Sequence, residues 1–321
     1  MQKMKILRSL LAILLLAGVF LPEPAAAEKL VAAIVTGDLP RYQQANAALE
    51  AIIRSAGYDV DKLKIFTQTP NPDTMSLTNS IRRSLAAGAE LLITYGASAT
   101  LVAAKEAGEI PILFADVYDP QTLGIVQNMA APGVNRSGAS SKIPATPLLE
   151  KLQAIKPGTR IGVLFNETEP GSKQQSADLE TAGKSLGLSL SSASARNPAE
   201  LDKALEDLQA KADVLFIAES VVINQQIDKV MTFAAAQGLP VISMIPGLAD
   251  LGALLTFEAS PEEQGKLAAV HTLQVLAGQK AFMLPVREPR QINLVVNLKT
   301  AETLKLQVPE AVLKSATRVV R

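Results

Sequence analysis

The 321-residue chain carries 31 basic and 31 acidic side chains, one histidine and no cysteine. Electroneutrality excludes the basic footprint of a nucleic-acid partner, and the missing cysteine excludes disulfides, thiol chemistry and cysteine-ligated metals. Aromatic residues make up 4% against 48% hydrophobic overall, so an aliphatic core shared by two domains of ordinary size is expected.

Residues 1–27 read as an export signal. Lys3, Lys5 and Arg8 form a basic start, residues 10–21 an apolar run, and Ala25-Ala26-Ala27 a cleavage site after Ala27. The apolar run is short for a membrane span; an uncleaved anchor is the alternative. With no cysteine to acylate, the expectation is a freely soluble periplasmic monomer, not a lipoprotein.

From Leu30 the chain repeats strand, polar turn and helix. The first strand, residues 30–35, ends in Thr36-Gly37-Asp38-Leu39-Pro40. Tyr42, Ala45, Ala48, Leu49, Ile52 and Ile53 then share one helical face. A strand over residues 62–66 and a helix bearing Leu77, Ile81 and Leu85 lead to the central stretch, residues 91–120. There Leu91–Thr94 reads as a buried strand, Tyr95-Gly96-Ala97-Ser98 turns the chain, a helix follows, and residues 110–115 form a second strand ending at Asp116-Val117-Tyr118-Asp119-Pro120. A right-handed crossover puts both turns on one edge of the sheet, where open α/β sheets bind ligands.

After a strand leading to Ser140-Ser141 the pattern restarts. Strands are expected over residues 160–165, 188–192, 214–218 and 240–244, with polar turns at residues 166–172 and at Glu219-Ser220. The tail supplies a strand (252–257), a helix (261–277) and a strand (291–296). These single units are best used by crossing back, one completing the first lobe and the last returning to the second. The fold class is therefore α/β, two Rossmann-like lobes joined by a three-strand hinge. Lobe 1 spans 28–140 plus about 248–286, and lobe 2 spans 141–247 plus about 287–321. The crossings fall near Ser140, near Gly247 and near residues 285–289, and the cleft lies between the two C-terminal sheet edges.

ITYGASAT, ILFADVYDP, the Ser137-Gly138-Ala139-Ser140-Ser141 segment, VLFNETEPGSKQQ and NLVVNLKTAETLKLQVPEAVL together resemble the substrate-binding proteins of ABC transporters, in the subgroup similar to tryptophan- and tyrosine-binding lipoproteins. The resemblance covers the chain after Ala27. It implies a type I periplasmic-binding fold that closes on a small solute, often an aromatic amino acid, and delivers it to an ABC permease in the inner membrane. The chain departs from its relatives at Ser141, where they often carry Asp, and at Glu219-Ser220, where they often have Asp-Asn.

Several residues are placed to hold such a solute. The helix start at Gly96, Ala97, Ser98 and Thr100 offers free N–H groups to a carboxylate or is an ordinary cap. Asn166, Gly171 and Ser172 offer a second anion clamp or, again, a cap. Asp116 either pairs with a ligand ammonium or serves the turn, and Glu219 is a second candidate for the cation. Tyr42, Tyr95 and Tyr118 lie at the ligand edge, where a ring can stack on a flat solute, although core packing is preferred for Tyr42. Asp38, Ser140 and Ser141 complete the candidates.

Enzymatic readings find little support. His271 lies inside an expected helix, no EF-hand spacing is present, and G-x-S-x-G, G-x-G-x-x-G and Walker A patterns are missing. The expectation is binding without chemistry, cofactor or metal: a receptor for an ABC importer. A periplasmic sensor presenting its closed state to a membrane kinase or chemoreceptor is the alternative.

Overall fold

The computed structural model describes residues 29–321; the export-signal reading of residues 1–27 lies outside them. The first lobe is built on β1 (Lys29–Ile34), α1 (Pro40–Ser55), β2 (Leu63–Gln68), α2 (Thr74–Ala86), β3 (Leu91–Tyr95), α3 (Ala97–Glu106), β4 (Ile112–Val117) and β5 (Arg136–Ser140). Its sheet is wholly parallel, in the order β2-β1-β3-β4-β5. The aliphatic runs are buried on both faces, as a covered parallel sheet requires. Val31 and Ala33 face α1, whereas Ala32 and Ile34 face α2 and α3.

The second lobe contains α4 (Thr146–Ile155), β6 (Arg160–Phe165), α5 (Pro170–Ser185), β7 (Ser189–Ser194), α6 (Leu201–Gln209), β8 (Val214–Ile217), α7 (Val221–Asn224), α8 (Ile227–Ala236), β9 (Val241–Ser243) and β10 (Leu255–Ala259). After α9 (Pro261–Leu276) come β11 (Ile292–Asn297), α10 (Leu298–Thr303), α11 (Glu310–Ser315) and β12 (Arg318–Val320). The order is β12-β11-β10-β9-β8-β6-β7, and only β10 and β11 pair antiparallel.

One expectation is corrected here. The strand expected to complete the first lobe, β10, lies in the second sheet, beside β9 and β11. Leu254, Leu255 and Ala259 are buried in the second lobe's core, and that burial fixes the strand there. Instead α9 and the segment after it return to the first lobe, where Ala268, Ala269 and Ala281 join the core around α1. Gly265 makes the approach possible: a Cβ there would stand 2.0 Å from the Ala45 carbonyl oxygen. The second crossing therefore falls near Ser260, not near Gly247. The third runs beside β5, where Arg287 bridges in parallel to Ala139. The terminal strand β12 pairs in parallel with β11.

Candidate functional site

The strand ends of both sheets converge on one small, partly open cavity between the lobes. Thr36 follows β1, Gly96 to Ser98 follow β3, Glu169, Gly171 and Ser172 follow β6, and Glu219 follows β8; all line it, with Arg41, Tyr42, Tyr95 and Val221. This is the carboxyl-edge crevice expected of parallel α/β sheets, here formed twice and face to face.

Arg41 dominates its electrostatics. It lies in the first turn of α1, 5% exposed. Its Nη2 donates to the Tyr42 hydroxyl at 3.2 Å, and the guanidinium stands over that ring, 4.8 Å from the centroid. Its Nε is 3.1 Å from Asp116 Oδ2, an ion pair whose alignment leaves Nε without a hydrogen bond. Nη1 is buried and has no partner at all.

Asp116 reaches Arg41 because the chain is bent there. The β4–β5 register shifts between Phe114 and Val117, and Asp116 has a φ of 53°; bulges of this kind re-aim side chains beside binding sites. Its N–H donates to Gln264 Oε1 (3.2 Å), and Gln264 Nε2 donates to the Ser140 carbonyl (2.9 Å). One α9 side chain thus ties the site to the first hinge strand.

From the second lobe, Glu219 presents a carboxyl to which no described residue donates a hydrogen bond; only its backbone N–H is engaged, by Gln175 Oε1 at 2.7 Å. Burial pushes this carboxyl up to about 8; Arg41 pulls the other way, and Asp116 and Glu169 add to the rise. Glu169 is differently placed. It accepts from the Ser220 hydroxyl, Val221 N–H, Val222 N–H and Asn166 Nδ2, so it caps α7 and holds the Glu219 loop in place.

Two helix starts complete the lining. Neither α3 nor α5 has a side-chain cap, so their first N–H groups remain available to an anion. Gly96 (φ 82°) opens α3, and a Cβ on it would lie 2.3 Å from the Tyr42 hydroxyl. Gly171 opens α5 against Glu219, Ala97 and Tyr118.

The sequence candidates divide accordingly. Tyr42, Tyr95, Gly96, Ala97, Ser98, Gly171, Ser172 and Glu219 are brought together, and Asp116 joins them through Arg41. Tyr42 both packs in the core and lines the cavity. Tyr95 does so beneath it, with its hydroxyl donating to Asn46 Oδ1 at 3.0 Å. The Ser172 hydroxyl turns back to accept from Asn166 N–H, and Asn166 otherwise shapes its own turn through Thr168. Five further candidates do not line the cavity. Thr100 is in the core, 2.8 Å from Thr94 Oγ1 and from the Gly96 carbonyl. Asp38 is exposed and accepts from Gln43. Tyr118 is buried outside the cavity with its hydroxyl on Asp178 Oδ2. Ser140 and Ser141 belong to the hinge strand, bonded through Arg287 and Val117 backbone.

Arg41, Thr36, Glu169 and Val221 were missed. Arg41 did carry a signal: a cation in a helix's first turn opposes the dipole, and only a local anion justifies it.

Such an arrangement has the means to hold a small molecule bearing both charges between two hinged bodies. Two parallel-sheet lobes, three crossings and a charged cavity between their strand ends define a two-lobed solute-binding protein of the type I periplasmic-binding fold. The chain belongs to the ABC transporter substrate binding protein family, whose model matches residues 30–320. It is 28% identical over 274 residues to a tyrosine-binding protein of Clostridioides difficile (strain R20291), covering 84% of this chain and 78% of that one. Among solved structures it is similar to the ABC domain in complex with L-Trp from Streptococcus pneumonia, with a TM-score of 0.88 at 22% identity over 92% of this chain and 100% of that one. The ligand-free, open structure of a substrate-binding protein with adhesive properties from Clostridium difficile gives 0.68, also at 22% identity, over 92% and 99%. No helix among the described residues is long and apolar enough to cross a membrane.

Proposed function

We propose that this protein is an exported receptor of an ABC importer that captures an amino-acid zwitterion, preferably aromatic, and presents its closed form to the membrane permease. One observation carries the reading: the unpartnered Arg41 Nη1 from the first lobe and the unpartnered Glu219 carboxyl from the second face the same cavity. A solute with a carboxylate and an ammonium answers both at once, and only when the lobes are together. Its binding therefore shifts the hinge equilibrium toward closure.

The uncapped starts of α3 and α5 add donors for the carboxylate. A neighbouring groove shares Ser98 and Glu169 with the cavity and is walled by Leu77, Leu101, Val102, Pro170 and Val222, a suitable bed for an apolar side chain. The ligands of the two relatives, tyrosine and L-Trp, support the aromatic preference.

Titration calorimetry against L-tyrosine, L-tryptophan and L-phenylalanine tests the proposal, with tyramine and 3-(4-hydroxyphenyl)propionate as single-charge controls. At 100 times its dissociation constant, a true ligand adds about 2.7 kcal/mol of stability. Equal binding of a control would overturn the zwitterion requirement. Silence from all three amino acids would overturn the aromatic one.

A further inference from the structure

Outside the cavity, a second set of polar groups joins the lobes. The Tyr118 hydroxyl, from the first lobe's β4 exit, donates to Asp178 Oδ2 on α5 at 3.0 Å. Lys142, on the first crossing, lies with its Nζ 3.1 Å from the same oxygen and also pairs with Asp119 of the first lobe. Gln174 Nε2 braces the other Asp178 oxygen at 2.8 Å. Tyr118 is 1% exposed, and Lys142 stands 6.0 Å from its ring centroid.

None of these side chains lines the cavity, yet they bear on it through one helix. Gly171, Gln174 and Asp178 recur at three- and four-residue intervals and so share a face of α5. The first of them is at the cavity and the last is in the cluster. Gly171 itself rests against Tyr118, whose Cβ would lie 3.7 Å from an added Cβ. Anchoring Asp178 to Tyr118 and Lys142 thus fixes where the α5 start points.

We propose that Tyr118, Lys142 and Asp178 form an affinity-setting latch: positioning residues that hold the lobes shut and α5 aimed at the solute without touching it. The proposal rests on closure around a solute but not on which solute it is. The bonds between lobes exist only when the lobes meet, so the latch acts on release and leaves capture by the open form alone. Burial and the neighbouring Asp178, Glu219 and Asp119 push the Tyr118 phenol above its ordinary range, so it stays a donor throughout the working pH range.

Tyr118→Phe keeps the ring and removes only the donor. With no native cysteine, spin labels at Asp61→Cys and Lys211→Cys report the distance between lobes with and without L-tyrosine or L-tryptophan. The variant is expected to release amino acid about tenfold faster with association within about twofold, as loss of a hydrogen bond to a charged group implies, and to show a smaller closed population. Asp178→Ala should act likewise, and the double variant should be far less than additive. Unchanged release and closed population in both single variants would overturn the latch, as would slowed association with unchanged release. If neither amino acid binds the parent protein, the solute reading fails on its own, and the ligand-free closed population of Tyr118→Phe against the parent decides the latch: a fall supports it and no change overturns it.

Discussion

Arg41 and Asp116 approach within 3.1 Å in a buried ion pair, and the pair leaves one guanidinium nitrogen with nothing to bind. Breaking a buried pair leaves an unpaired charge, at a cost of about 3–5 kcal/mol. Arg41→Leu should therefore lower the urea midpoint as well as abolish amino-acid binding. Asp116→Asn, compatible with the left-handed backbone at that position, should restore most of the stability in the double variant while binding stays lost. Restored binding would remove Arg41 from the site.

Glu219 gives a pH signature. Its carboxyl is raised to about 8 from an ordinary value near 4.5, so the closed protein without solute holds a proton that the unfolded chain has lost. Its contribution to stability is full below the unfolded value and falls as pH rises through about 8. Glu219→Gln is expected to flatten that alkaline decline in thermal melts from pH 5 to 9, and to weaken amino-acid binding at least tenfold. A melt profile identical to the parent's would refute the assignment.

Gly37 bears on closure directly. It has a φ of 69°, and a Cβ added to it would stand 2.2 Å from Val221 Cγ1 in the opposite lobe. Gly37→Ala should prop the cleft open, so scattering in saturating amino acid would show no compaction and affinity would drop more than tenfold. Local backbone strain of about 1–2 kcal/mol leaves the lobes folded. Full compaction in this variant would contradict the contact.

His271 governs the acid limb. It is fully buried, neither ring nitrogen has a hydrogen-bond partner, and burial, with a smaller push from Arg287, lowers its pKa to about 4. The unfolded chain takes up a proton near 6.5 that the folded one refuses, so stability is complete above that value and falls as pH drops toward 4. The loss approaches about 3 kcal/mol. His271→Leu should reduce the acid sensitivity between pH 6.5 and 4; an unaltered slope would point elsewhere.

The alternation of aliphatic runs with polar turns, and of those with helices, was enough to read two α/β lobes and a cleft at their strand ends. Covered parallel strands leave that trace in any sequence. Glycines and small residues marked the starts of α3 and α5 for the same reason, since close approach to a helix start excludes a side chain. Allegiance of β10 was not legible: Gly252–Phe257 reads alike in either sheet, and only the packing of Leu254 and Leu255 against the second core decides it. Nor could pattern say that Tyr118 reaches Asp178 while Arg41 faces Glu219. Periodicity records which side of an element is buried. Which charge it meets there depends on how two distant segments are brought together, and that relationship belongs to the folded molecule alone.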